Sequence, residues 1–147
     1  SKLGLCENTA GASVAGYIAI RYKECFIPGT FALDLPPQLP APETDLCSVL
    51  SNLLENAMEA GMKTAPERRR AKVAAHLHSG HMVLLSVENT YDGKVREKDG
   101  VFLSSKRPGE GVGLQAVRHS AEKNGGYVRF HYGDGVFTAN VILRGGK

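Results

Sequence analysis

The stretch CSVLSNLLENAMEAG, residues 47–61, constrains the fold more than any other part of the chain. With Leu46 just before it, Leu50, Leu53 and Ala57 recur at the three- and four-residue spacing of an amphipathic α-helix. The same helix also carries Asn52 and Asn56. Asparagine costs about 0.5 kcal/mol or more against alanine inside a helix, and positions i and i+4 stack on one face. The pair falls at the border between the buried stripe and solvent, with Glu55 and Glu59 as a parallel pair beside it. A side-chain amide there offers a neutral oxygen to a hard cation such as Mg²⁺, or bonds a phosphate or a water. The plainer reading is two exposed polar residues on a surface helix.

Around this helix the chain supplies one domain's worth of elements. Its 147 residues suffice for a single core, and 42% hydrophobic with 22% charged residues is the balance of a globular protein. Residues 9–25 read as a helix with Val14, Ile18 and Tyr22 inward. Phe31, Leu33 and Leu35 alternate as in a half-buried strand that prolines stop. Thr44 is the expected N-cap of the asparagine helix, Asp45 lies in its first turn, and Gly61 closes it. Residues 71–89 read as a hairpin turning at Ser79 and Gly80, and residues 90–109 as a polar loop without periodicity. A short helix follows with Leu114, Val117 and Ala121 inward, closed by Asn124 and Gly125. The last element is a hairpin around Gly133, Asp134 and Gly135. Strands pairing mainly as hairpins among interspersed helices predict an α+β fold: a two-layer sandwich whose mixed, mostly antiparallel sheet is covered by helices on one face.

Charge and cysteine content exclude several classes. A net charge of +3 without a groove-like run of basic and aromatic residues does not predict a nucleic-acid partner. The basic cluster ERRRAK, residues 67–72, reads as a solvated loop or strand edge. Cys6, Cys25 and Cys47 are odd in number and widely spaced, which predicts buried thiols in a reducing compartment rather than a disulfide framework or a zinc site. No apolar run reaches the roughly 20 residues that span a bilayer. The chain begins with serine, so it is expected to be a piece of a longer polypeptide.

Three further features bear on chemistry. In KRPGEGVGLQAV, Gly109, Gly111 and Gly113 alternate directly before a helix, where free amides attract phosphate; a flexible hinge is the other reading. It is neither a Walker A loop nor a Rossmann fingerprint, since no GK[ST] follows it and no strand immediately precedes it. In LLSVENTYDG a buried-looking strand ends in Asn89, placed to read a polar base edge or simply to turn the chain. Lys106, in SSKRPG, is a cation that can reach phosphate from the loop.

An asparagine-bearing helix, a polar strand end, a lysine loop and a glycine-run helix start follow one another in this order. That order resembles the ATP-binding fold shared by DNA gyrase, the ninety-kilodalton heat-shock chaperone, histidine kinases and MutL, the GHKL or Bergerat fold. NLLENAMEA resembles its N box, SVENTYDG stands where the G1 box belongs, and GEGVGLQAV resembles its G2 box. The wording is most similar to AgrC-like histidine kinases of peptide quorum sensing, over residues 8–143. The resemblance implies that Asn56 coordinates Mg²⁺ and Asn52 supports phosphate or metal. It places adenine near Asn89, and phosphate on Lys106, Gly109 and the backbone of Gly111, Val112, Gly113 and Leu114. Asn52 and Lys106 would act at the transferring phosphoryl group. Two positions depart from the pattern: Asn89 replaces the usual G1 aspartate, as in the AgrC-like branch, and Glu110 stands where that branch commonly has histidine.

Gyrase-like ATPases carry a glutamate at the position of Asn52 to activate water, and an amide cannot take a proton. The resemblance therefore implies ATP and Mg²⁺ as ligands, little hydrolysis, and transfer of the γ-phosphoryl group to a histidine. His76, His78, His81, His119 and His131 read as structural or solvated, so the acceptor is expected on separate dimerisation helices upstream. The whole chain, residues 1–147, is then a single catalytic ATP-binding domain, monomeric by itself. It would form the cytoplasmic part of a membrane-anchored bacterial receptor kinase that passes phosphate to a response regulator. The alternatives are a serine kinase of the anti-sigma-factor type, whose Asp-x-Gly-x-Gly is missing from ENTYDG, and a binding module that keeps the fold without nucleotide.

Overall fold

In a computed structural model the described residues are 8–93, 96–98, 101–103 and 111–145. Their order is α1 (Thr9–Glu24), β1 (Gly29–Asp34), α2 (Glu43–Met62), a 3-10 turn (Pro66–Arg68), β2 (Ala71–His78), β3 (Met82–Thr90), β4 (Arg96–Lys98), β5 (Val101–Leu103), α3 (Val112–Glu122), β6 (Tyr127–Gly133) and β7 (Val136–Arg144). Five strands form one sheet in the order β1-β2-β3-β7-β6. β1 runs parallel to β2 and the remaining neighbours are antiparallel. The expected α+β sandwich with a mixed, mostly antiparallel sheet is what the chain adopts.

Period-two alternation decides which face is covered. Phe31 and Leu33, Val73 and Ala75, Val83, Leu85 and Val87, and Phe137, Ala139, Val141 and Leu143 form one buried row after another. α2 lies over them with Leu46, Val49, Leu50, Leu53, Leu54 and Ala57 buried. Each such leucine contributes about 1.5–3 kcal/mol by leaving water. α1 packs beside α2, where the Tyr22 hydroxyl donates to the Leu54 carbonyl at 2.7 Å and Arg21 ion-pairs with Glu55. Burial, aided by the Glu55 carboxylate, holds the Tyr22 phenol well above its ordinary pKa.

Several local expectations are corrected. Thr44 does not cap α2: the helix begins one residue earlier, and the Pro42 carbonyl accepts from Asp45 and Leu46 at 3.1 and 3.2 Å. Proline offers no side-chain acceptor, so Glu43 and Asp45 in the first turn oppose the helix dipole instead. Gly61 lies inside the helix rather than beyond it. A Cβ there would come within 2.8 Å of Ile27 Cδ1, so any larger residue would make the Ile27 side chain shift. Within the expected structureless loop, β4 and β5 pair as a short antiparallel ribbon. In the basic cluster Arg69 is half-buried, donating to the Thr64 and Cys25 carbonyls at 3.0 Å each. The thiols of Cys25 and Cys47 are free but only half-buried, and burial followed by the Glu43 carboxylate pushes the Cys47 thiol up. Cys6 lies outside the described residues.

α1 ends in an unusual way. Ile27 donates to the Tyr22 carbonyl at 2.8 Å and Phe26 to that of Lys23 at 3.1 Å, the paired bonds of a Schellman motif. Its left-handed position is normally glycine, yet Phe26 occupies it at φ 57° and is 78% exposed. A left-handed backbone costs a side-chain-bearing residue about 1–2 kcal/mol, part of which glycine returns by loosening the unfolded chain. Phe26→Gly should therefore raise stability by about 0.5–1 kcal/mol, read as a higher denaturant midpoint. A lower midpoint would show that the exposed ring contributes to packing.

Candidate functional site

The polar border of α2 carries Asp45, Asn52 and Asn56 at i, i+7 and i+11. At about 100° per residue these project within ~40° of one another. Asn52 is oriented from its own helix: its Nδ2 donates to the Ser48 carbonyl at 2.8 Å, with Ser48 Oγ at 3.4 Å. Its Oδ1 faces the start of α3, where a Cβ placed on Gly113 would lie only 3.2 Å away. Glycine is what lets the first turn of α3 pass this close to the amide. Asn56 is half-buried one turn further along, between the buried Leu53 and Ala57. Amide stripe and glycine-rich helix start thus share one junction.

α3 is held there by Leu114, Val117 and Ala121, all buried as expected. Gly111 is buried at the N-cap with no side-chain cap, and its carbonyl accepts from Gln115 at 2.9 Å. The first amides of α3 lack intrahelical acceptors, which makes its start a place for an anion. Gly111, Val112, Gly113 and Leu114 supply that turn. At the opposite end of α3, Asp45 Oδ1 meets Lys123 Nζ at 3.0 Å and Asp45 Oδ2 accepts from Asn124 Nδ2 at 2.8 Å. Asp45 is 3% exposed; with Asp45 at the end of α3 and Asn52 at its start, α2 and α3 run antiparallel.

Asn89 continues the inward row of Val83, Leu85 and Val87 and is 3% exposed, so it lies on the helix-covered face of the sheet. It pairs across the sheet with Ala71 and Phe137, and its Nδ2 donates to the Thr90 carbonyl at 3.0 Å. Thr90 Oγ1 accepts from the Arg70 amide at 3.1 Å and pins the strand end. Lys106 and Gly109, with Glu110, lie outside the described residues.

From the sequence Asp45 is no more than a first-turn acid, and Ser48 carries no signal of its role. The i, i+7, i+11 spacing of Asp45 with the two asparagines was a visible signal for the first. Nothing local marked Lys123 and Asn124 as its partners. Glu55, read as standing parallel to Glu59 beside the amides, is bound to Arg21 of α1. Among the described residues no group of three or more His, Cys, Asp or Glu is placed to hold a metal ion, and no helix is long and apolar enough to cross a membrane.

Comparison with known proteins places this geometry. No curated protein matches the chain. Among solved structures it is similar to the nucleotide-free catalytic domain of the histidine kinase ThkA, at 21% identity and TM-score 0.71 over 92% of each chain. The mycobacterial sensor histidine kinase MprB matches at 18% identity and TM-score 0.63, covering 92% of this chain and 93% of that one. Full-length ShkA in complex with AMPPNP matches at 22% identity and TM-score 0.66, covering 97% of this chain but 31% of its own. At these identities the likeness shows a shared fold. A family profile described as GHKL domain matches residues 43–144, from the first turn of α2 to the end of β7. The chain belongs to the GHKL domain family.

Proposed function

We propose that this domain binds Mg·ATP between the amide stripe of α2 and the start of α3, and gives the γ-phosphoryl group to a histidine on separate dimerisation helices in two-component signalling. The observation that carries the reading is the approach of Asn52 Oδ1 to Gly113, which joins the two phosphate-facing features in one place. Family membership and the fold of histidine kinase catalytic domains support it.

The residues fit a hard divalent ion. Asn56 offers a neutral amide oxygen beside Asn52, and Mg²⁺ keeps several waters and leans on the phosphates for the rest of its shell. When bound, the ion neutralises charge on the phosphates. Asn52, oriented by Ser48, and the amides of Gly111, Val112, Gly113 and Leu114 would hold the phosphate end in place, with Gly109 and the Lys106 cation completing it. Asn89 Oδ1 would accept from the exocyclic amine of adenine. Asn52 cannot take a proton from water, and two carboxylates of α2 are engaged elsewhere, Asp45 by Lys123 and Asn124 and Glu55 by Arg21. The isolated domain should accordingly hydrolyse ATP poorly. The AgrC-like wording adds the finer reading: a cytoplasmic domain of a membrane-anchored quorum-sensing receptor that acts on a response regulator and is monomeric when separated from its helices.

Calorimetric titration with a non-hydrolysable ATP analogue should give binding that depends on Mg²⁺. No heat at millimolar nucleotide would make the domain an inert module of the same fold. With the parent's helical domain added in trans, phosphate should appear on histidine, labile to acid and stable to base. Acid-stable phosphoserine on a partner would instead mark a kinase of the anti-sigma type.

A further inference from the structure

We infer that Asp45 is a positioning residue for the phosphate end of the site, acting through α3 rather than on the nucleotide. The inference rests on the reading of that site as a nucleotide site. Leu114, Val117 and Ala121 seat α3 on the core. Apolar contacts resist separation but are non-directional, and they permit a helix to slide or turn about its axis. Directional bonds are what fix its register. Asp45 accepts two, one on each carboxylate oxygen, from Lys123 Nζ at 3.0 Å and Asn124 Nδ2 at 2.8 Å.

This tie sits about ten residues, or ~15 Å of helix, from Gly113. At that far end α3 passes close to Asn52, since a Cβ added to Gly113 would stand 3.2 Å from its Oδ1. Both ends of α3 are thus referenced to one face of α2. Asp45 sets the position of the first-turn amides relative to Asn52 and Asn56, which stand on the same stripe. A leucine at Asp45 would fill the space and leave the register open.

The test compares ATP with adenosine, which lacks the phosphates, across wild type, Asp45→Ala and Lys123→Ala, each first shown to unfold cooperatively, since the Asp45 carboxylate that Lys123 meets is only 4% exposed. The expected result is an ATP affinity lowered roughly tenfold, in the range seen when a supporting contact is removed, with adenosine affinity unchanged. Equal ATP affinity in a variant that is merely less heat-stable would overturn the inference and leave Asp45 a structural tie. Hydrogen exchange decides the point without nucleotide. Amides in the first turns of α3, from Gln115 to Val117, should exchange faster in the variants while those of Val83 and Leu85 do not. Uniform acceleration, or none, would refute the positioning role. Absence of ATP binding by the wild-type chain would sink the nucleotide reading itself, a result distinguishable from either.

Discussion

Asn56→Ala should abolish the magnesium dependence of nucleotide binding while leaving the domain folded. Asn56 is half-buried at the edge of α2, and its neighbours Leu53 and Ala57 carry the packing. Removing its amide therefore opens no core cavity. Alanine is the better helix former by about 0.5 kcal/mol, so the thermal midpoint should hold or rise slightly. The ion would lose its protein ligand and keep only phosphates and water. Because even outer-shell substitutions around metals cost 10–100-fold, loss of the ligand should weaken ATP binding in Mg²⁺ by about 100-fold. Titrations of the variant with and without Mg²⁺ should then coincide. Retention of the wild-type difference would remove Asn56 from the metal site.

Gly126→Ala should be the most destabilising glycine-to-alanine change among the described residues. Gly126 lies between the end of α3 and β6, where a Cβ would sit 1.9 Å from the Ile142 carbonyl oxygen and 3.0 Å from that of Ala121. Neither obstacle is a side chain that can swing aside. The backbone of β7 or the α3–β6 connection must shift, breaking the pairing of Tyr127 with Ile142 or the bond from the Gly126 amide to Ala121. Overpacking of this kind costs about 3 kcal/mol at the upper end of its usual range, a large share of a stability of roughly 5–15 kcal/mol. Gly16→Ala is the matching control. No atom lies within 4 Å of its Cβ position, and its place in α1 predicts a gain of about 1 kcal/mol. Urea titrations of the two variants should move in opposite directions; a neutral Gly126→Ala would show that the connection yields.

What could be read from the sequence was what is local. The stripe of α2, the turn at Ser79 and Gly80, and the two-residue turn of Asp134 and Gly135 at φ 55° and 76° all follow from neighbours a few positions apart. The junction of α2 with α3 came from motif order, because no short-range signal says that Asn52 meets Gly113. Non-local pairings were out of reach. β1 lies parallel to β2 with Phe31 opposite Val73, and β3 finds β7 with Leu85 opposite Val141. β4 and β5 are three residues each, too short for alternation to register. Asp45 showed its spacing but not its partners, since Asn124 is 79 positions away. Thr44 was misread because N-cap preference favoured it over Pro42, whose carbonyl alone starts the helix.

The segment that matches the family begins at residue 43, yet the hydrophobic interior does not. Ile18, Tyr22, Phe31 and Leu33 are among the largest fully enclosed side chains, and all four come from α1 and β1. A chain trimmed to the shared motifs would keep Asn52, Asn56 and the first turn of α3. It would also bare the flank of α2 that Tyr22 seals and leave β2 as an open edge inviting strand addition. The recognisable kinship starts at residue 43, whereas the packing that supports it reaches back to α1, which starts at Thr9.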